Sequence, residues 1–220
     1  MSALRPTNRP TACIFCNGEL GDSRVAERLA ARADLLIAAD GGAEHLVALG
    51  MKPHAIIGDM DSLRCDPWRD DHSIKRITFP TDKDRSDAEL AVEWAMEQGC
   101  GRALLLAAWG GRLDHALGNG ALLIRFAGRL ALWHDGTLVQ GLRGGQRAHV
   151  HATPGTGVSI IPLADETRVR TSGLRYPLND EPLEHATHGL SNVSTKAGPS
   201  VAVTHGLILL CVESDEWPGE

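Results

Sequence analysis

Residues 35–62 read LLIAADGGAEHLVALGMKPHAIIGDMDS, and this stretch decides the fold. It holds two apolar runs, LLIAA from Leu35 and AIIG from Ala55, each too short for a helix and each running into Gly and Asp. Between them a helical pattern extends through Leu49, with Gly50 placed as its C′ residue and Pro53 just beyond. Continuous apolar strands alternating with helices predict a mostly parallel sheet with helices on both faces.

The same alternation continues outward. Upstream, Thr11 to Phe15 reads as a strand, and Val25 and Leu29 recur at helical spacing. Downstream, IKRITF is a strand, and Ser86 with Glu89 three residues on forms a capping box that starts a helix. Leu90 and Trp94 share one face of that helix, which places Trp94 in the core, and Gly99 ends it. ALLLAAW is a further buried strand, a helix is expected from about Ala116 to Ala127, and LALWH closes the series. Residues 1–135 are therefore expected to form an α/β domain. Beyond Asp135 the pattern changes. Asp135-Gly136, Gly144-Gly145 and His205-Gly206 mark turns between short runs such as LVQGLR, AHVHA, GVSIIPL, TRVRTSG, SVAVT and LILLCV. With no helical pattern there, residues 136–220 are expected to form a small antiparallel β sandwich or barrel.

Composition narrows the function. The 220 residues are 43% hydrophobic, enough for a sizeable core, and carry a formal charge of -6. That sign argues against a nucleic-acid partner, which needs a basic face. No stretch is long and apolar enough to span a bilayer as a helix, and the N-terminus lacks a signal-peptide h-region, so a cytoplasmic location is expected. The five cysteines have irregular spacing. Cys13 and Cys16 form a C-x-x-C within an apolar run, without a second pair to complete a zinc site, and read as buried and structural.

The chemistry is expected where strands end. Asp40-Gly41-Gly42 follows LLIAA, and Gly58-Asp59-Met60-Asp61-Ser62 follows AII. Thr81-Asp82-Lys83-Asp84-Arg85-Ser86-Asp87 follows ITFP, and Gly110-Gly111-Arg112-Leu113-Asp114-His115 follows the LLLAAW run. In an open parallel sheet such loops converge on one crevice outside the carboxyl ends of the strands. Two carboxylates 4 Å apart repel by about 4 kcal/mol at an effective dielectric of 20, so acids gathered there call for a cation. An all-oxygen ligand set suits magnesium, which shares its shell with substrate phosphates. Lys83, Arg85 and Arg112 would balance phosphate charge, giving metal-assisted phosphoryl transfer. Each loop alone is ambiguous: Asp-Gly at a strand end is often only a turn, and an acid in the first turn of a helix, such as Asp87, is favoured by the dipole.

ADGG, GDMDS, TDKDRSDAELA and GGRLDHALGN, in this order, strongly resemble the thiamine pyrophosphokinase family, and GLRYPL (from Gly173) and GLSN (from Gly189) match its weaker C-terminal marks. The resemblance covers nearly the whole chain. It implies an enzyme that moves the diphosphoryl group of ATP onto thiamine, yielding thiamine diphosphate and AMP. It also implies a homodimer whose thiamine pocket lies between the α/β domain of one subunit and the β domain of the other. Carried over by residue, Asp59, Asp61, Asp84 and Asp114 would hold magnesium and form the catalytic site. Asp87 would support it or touch substrate. Asp40, Gly41 and Gly42 would line the crevice, and Arg112 would meet phosphates. Asn119 would hold the GGRLDH loop or the nucleotide, while Ser191 and Asn192 would reach the thiamine aminopyrimidine. Trp109 stands where the family more usually has a smaller residue; packing under the loop is favoured over stacking on a base or on thiamine. A metal-dependent nucleotide phosphohydrolase and a non-catalytic thiamine or nucleotide binding module are the rival readings.

Other residues are given ordinary roles. His149 and His151 lack a third ligand nearby in sequence, and His115 is expected to orient Asp114. His185 and His188 flank the GLSN segment, where a surface role and a substrate contact are equally open. The acidic end ESDEWPGE reads as solvated.

Overall fold

The computed structural model describes residues 9–60, 66–82, 84–183 and 187–217. Asp61, Lys83 and His185 lie outside the described residues. Two compact units emerge. One comprises Asn8–Gly120 with Trp133–Asp135, and the other chiefly Ala121–Leu132 with Gly136–Glu220.

In the first unit the predicted alternation is realised. β1 (Thr11–Phe15), α1 (Ser23–Ala30), β2 (Leu35–Ala39), α2 (Ala43–Ala48), β3 (Ala55–Gly58), β4 (Lys75–Thr78), α3 (Asp87–Glu97) and β5 (Arg102–Leu106) follow in order. The strands pair in parallel in the order β5-β1-β2-β3-β4. β1, β2, β3 and β5 are almost wholly buried, which their continuous Ile, Leu and Ala require. β4 is the edge and is mostly exposed, and its Lys75 and Arg76 deter further pairing. Lys75 also places its ammonium 5.6 Å from the Trp94 ring centre, so Trp94 is only half-buried where a core position was expected.

Helix ends follow local chemistry. Asp22 caps α1 through the N–H groups of Arg24 and Val25. Ser86 caps α3 and accepts from the Glu89 N–H at 3.2 Å, as the capping box predicts. Gly50, with φ of 66°, takes the left-handed position after α2. α4 (Leu113–Arg125) begins three residues before its expected start. Gly110 (φ 80°) and Gly111 (φ 66°) turn the chain so sharply that the Arg112 carbonyl already accepts from the Ala116 N–H. β6 (Leu130–His134) then leads through Asp135 (φ 42°) and Gly136 (φ 76°), a left-handed pair suited to a two-residue hairpin turn.

The second unit is a sandwich of antiparallel pairs. β7 (Thr137–Arg143), β8 (Arg147–His149), β9 (Gly157–Pro162), β10 (Arg168–Ser172), β11 (Asn179–Pro182), β12 (Asn192–Val193), β13 (Ser200–His205) and β14 (Leu207–Glu213) complete the chain order. One layer has the order β12-β9-β14-β7, the other β11-β10-β13-β8. Ile208, Leu210 and Val212 of β14 meet Val169, Val201 and Val203 of the other layer in one buried core, two residues apart along each strand as alternation demands. Gly144-Gly145 and His205-Gly206 carry the chain from one layer to the other. The short β11 and β12 carry no apolar alternation and were not foreseen.

Candidate functional site

The carboxyl ends of the parallel strands assemble acids. Asp40 directly follows β2, Asp59 directly follows β3, and Asp87 is the first residue of α3. One carboxylate oxygen from each lies within 4.8 Å of the other two. Asp40 is buried, and its Oδ1 has no hydrogen-bond partner among the described residues. Its backbone is also left-handed, with φ of 46°, a region Asp tolerates better than most residues. Gly58 (φ 152°) lies against the group: a Cβ there would stand 2.8 Å from the Asp40 Cβ and 3.1 Å from the Asp87 Oδ1. Only glycine leaves this cradle open. Gly42 has a different purpose, since a Cβ on it would overlap the Phe15 carbonyl oxygen, and one on Gly41 would press into the Asn17 amide. Both glycines let the single 3-10 turn Asp40–Gly42 seat against the end of β1.

The acids fit a hard cation. Three carboxylates at this separation repel pairwise by about 3–4 kcal/mol at an effective dielectric of 20. An octahedral ion about 2.1 Å from each oxygen needs them about 3–4 Å apart, so a small closure would complete three of its positions. The unpartnered Asp40 Oδ1 supplies an acceptor that no other described residue uses. Sequence reasoning brought the four strand-end loops to one crevice but gave the metal to Asp59, Asp61, Asp84 and Asp114, with Asp40 lining the crevice and Asp87 supporting the site or touching substrate. The available signal was topological, because β2 and β3 are neighbours and α3 starts over the same edge.

Of the other expected ligands, Asp61 lies outside the described residues, and Asp84 and Asp114 are not in this group. Asp84 is exposed. Asp114 is exposed too, and it forms a bidentate pair with Arg112: Nε donates to Oδ1 at 3.2 Å and Nη2 to Oδ2 at 2.6 Å. The guanidinium holds the Asp114 carboxyl down to about 2, and the pairing raises Arg112 in turn. Arg85 pairs with Glu93 at 2.7 Å. His115 donates its backbone N–H to the Asp114 Oδ1 at 3.0 Å. Asn119 is buried and donates to the Ala108 carbonyl at 2.8 Å, tying α4 to the loop that precedes GGRLDH. Trp109 is 40% exposed, whereas packing under its loop was the favoured expectation.

Cys13 and Cys16 are both buried. Burial raises both thiols, Cys16 to about 12, with the Asp87 carboxylate adding to the effect on Cys16. Neither is a thiolate at neutral pH, so the pair is structural, as read from the sequence.

In the sandwich unit, Ser191 is exposed with φ of 56°, and its N–H donates to the Ser159 hydroxyl at 3.0 Å. Asn192 is buried and turned inward onto the Tyr176 backbone. A cavity of about 380 Å³ opens beside them, lined by Ser159, Ser191, Val193, Cys211 and Glu213 among others. That volume suits a small organic ligand. Glu213 and Ser159 were not singled out in the sequence, since alternation along a strand reports a face but not a hollow in it.

With this geometry in place, the comparisons with known proteins are specific. The family model described as "Thiamin pyrophosphokinase, catalytic domain" matches residues 26–131, and "Thiamin pyrophosphokinase, vitamin B1 binding domain" matches residues 147–208. The thiamine pyrophosphokinase of Bacillus subtilis (strain 168) is 26% identical over 197 residues, covering 82% of this chain and 88% of that protein. Thiamine pyrophosphokinase 2 of Arabidopsis thaliana is 30% identical over 180 residues, 67% of this chain and 66% of that protein. Among solved structures, the Bacillus subtilis thiamine pyrophosphokinase aligns with a TM-score of 0.78 at 23% identity, over 94% of this chain and 100% of that one. Yeast thiamin pyrophosphokinase aligns at 0.70 and 16% identity, over 94% and 87%. The structural likenesses establish the fold; the family matches and sequence relatives carry the kinship.

Proposed function

Because the chain belongs to the thiamine pyrophosphokinase family, we propose a division of labour among its residues in making thiamine diphosphate and AMP from thiamine and ATP. The observation that carries it is the Asp40, Asp59 and Asp87 group, which lies inside the segment matched by the catalytic family model. Magnesium is the proposed cofactor, held by these carboxylates together with Asp61. When bound, it would offset the repulsion among these acids and part of the phosphate charge of ATP. Asp84 and Asp114 are assigned to the rim of the same edge. There Arg112 presents an exposed guanidinium to the phosphates, its planar fork kept in place by Asp114. Asn119 holds the loop between them.

Phosphoryl chemistry of this kind relies on position and charge. The grouped acids fix the charge, the glycines keep the edge open to phosphate oxygens, and the thiamine hydroxyl must then be brought in line. The domains are assigned as residues 1–135 for catalysis and 136–220 for the thiamine pocket. Ser191 lines the sandwich cavity and is assigned to thiamine, within the segment matched by the vitamin B1 binding model. Asn192 is assigned there through the Tyr176 loop it supports. A homodimer with the site at the subunit interface belongs to this proposal. The exposed Leu113 (69%) and Leu117 (61%), one turn apart on α4, provide an apolar stripe for a second copy. Among the described residues no helix is long and apolar enough to cross a membrane, and a cytoplasmic location is proposed.

The test is one incubation of the purified protein with thiamine, ATP and magnesium, with chromatographic separation of products. Thiamine diphosphate and AMP should appear together and only with magnesium, and Asp59→Asn should lower turnover at least a hundredfold. Nucleotide breakdown without a thiamine product would instead indicate a phosphohydrolase.

A further inference from the structure

Resting on the diphosphokinase reading, we propose that Trp109 is the platform on which the adenine ring of ATP stacks. The strand order sets its position. β1 to β4 build outward on one side, and β5 returns to the opposite side of β1. The strand order therefore reverses between β1 and β5, and open α/β sheets bind ligands outside the carboxyl ends at such a switch point. Residues 16–19 and 106–109, which leave these two strands, are joined to each other there.

This junction is fixed. Cys16 N–H donates to the Leu106 carbonyl at 2.9 Å, Gly18 N–H to Ala107 at 2.7 Å, and Glu19 N–H to Trp109 at 2.8 Å. Gly18 is pressed so closely under this loop that a Cβ would lie 2.6 Å from the Ala107 carbonyl oxygen. Gly110 (φ 80°) seats on the Glu19 side chain, where a Cβ would meet its Cγ at 2.6 Å. The Trp109 backbone is thus pinned on both sides while its side chain remains 40% exposed. A large aromatic held in the open at the switch point of the sheet is suited to cover something flat.

Spacing identifies what it covers. Trp109 follows β5, Asp40 follows β2 and Asp59 follows β3, in the sheet order β5-β1-β2-β3. At about 4.8 Å per strand, the acids lie about 10–14 Å along the edge from the end of β5, three residues before Trp109. This matches the reach from base to outer phosphates in an extended nucleoside triphosphate. A nucleotide whose phosphates face the acids lays its base on the indole, with the exposed Arg112 alongside the chain of phosphates.

The experiment compares the full-length wild type with Trp109→Ala and Trp109→Phe. It measures steady-state kinetics with each substrate varied, equilibrium ATP binding without thiamine, and size by chromatography. Trp109→Ala should raise the KM for ATP and weaken ATP binding by roughly 5- to 100-fold, the range of base–aromatic stacking. kcat, the KM for thiamine and the size should not change, and Trp109→Phe should restore most of the loss. Unchanged ATP binding, an equal rise in the KM for thiamine, or a smaller assembly that accounts for the loss would each overturn the proposal. A wild type that binds ATP through Trp109 yet makes no thiamine diphosphate would sink the diphosphokinase reading and leave the platform standing.

Discussion

Asn192 holds Tyr176 by both ends of its amide: Nδ2 donates to the Tyr176 carbonyl at 2.7 Å, and Oδ1 accepts the Tyr176 N–H at 3.1 Å. The same Oδ1 also accepts the Val193 N–H at 2.9 Å. A buried amide satisfied in this way shapes the loop that carries the exposed Tyr176. Asn192→Ala strands these backbone groups and should cost about 1–3 kcal/mol. For a chain of this size that is a fall in Tm of several degrees. Thermal denaturation checks it, and an unchanged Tm would show that the loop does not depend on Asn192.

Two glycines of the first unit should respond differently to alanine. Gly42 has no room, since its added Cβ would overlap the Phe15 carbonyl oxygen. Gly50 has φ of 66° and open space around it. Gly50→Ala therefore costs only the left-handed backbone penalty, about 1–2 kcal/mol. Gly42→Ala must shift the turn that carries Asp40, and it should lose both stability and magnesium-dependent activity. Urea unfolding of both variants, with turnover alongside, tests the contrast; equal effects would contradict it.

Much of this was legible in the sequence because it rests on local rules. LLIAA and AIIG have one comfortable fate, a strand buried on both faces, and Ser86 with Glu89 marks a helix start independently of any partner. The sandwich was visible in its alternation, while β11 and β12 were not, because NDEP and NV carry no apolar period and form only against neighbouring strands. At the site, the convergence of the strand-end acids was visible, but the choice of Asp40 and Asp87 as the neighbours of Asp59 was not. Asp40 and Asp59 are brought together by the pairing of β2 with β3, a contact between distant positions. Asn192 shows the same limit from the other side. The family resemblance assigned it to thiamine, and the fold adds that its amide also holds Tyr176, sixteen residues away.

The Arg112 to Asp114 pair makes a prediction about pH. Asp114 titrates near 2 when folded, below the ordinary carboxylate value of about 3.9. Its folded value is depressed, so the stabilisation is present above about pH 4 and is lost as pH falls toward 2. Both groups are exposed, so the effect on global stability is small. The direct reading is an NMR titration of the Asp114 carboxyl: Arg112→Ala should move its midpoint up toward about 3.9, and high salt should move it part of the way. A midpoint indifferent to Arg112 would exclude the pairing in solution.

Asp40→Asn separates stability from activity. The substitution keeps the shape and suits the left-handed backbone at this position, where asparagine is as well tolerated as aspartate. It removes one charge from three carboxylates whose oxygens lie within 4.8 Å. Without a divalent ion the variant should therefore be more stable than the wild type, by about 1–3 kcal/mol after solvent relaxation of the bare repulsion. With magnesium the order should reverse, because the wild type gains binding energy that the asparagine variant gives up in part. Thermal denaturation of both proteins, in chelator and in millimolar magnesium, gives four Tm values that decide the matter. Crossing of the two pairs supports a cation at Asp40, Asp59 and Asp87. A variant less stable in both conditions would mean that Asp40 is held by neutral contacts and that the metal sits elsewhere on the strand edge.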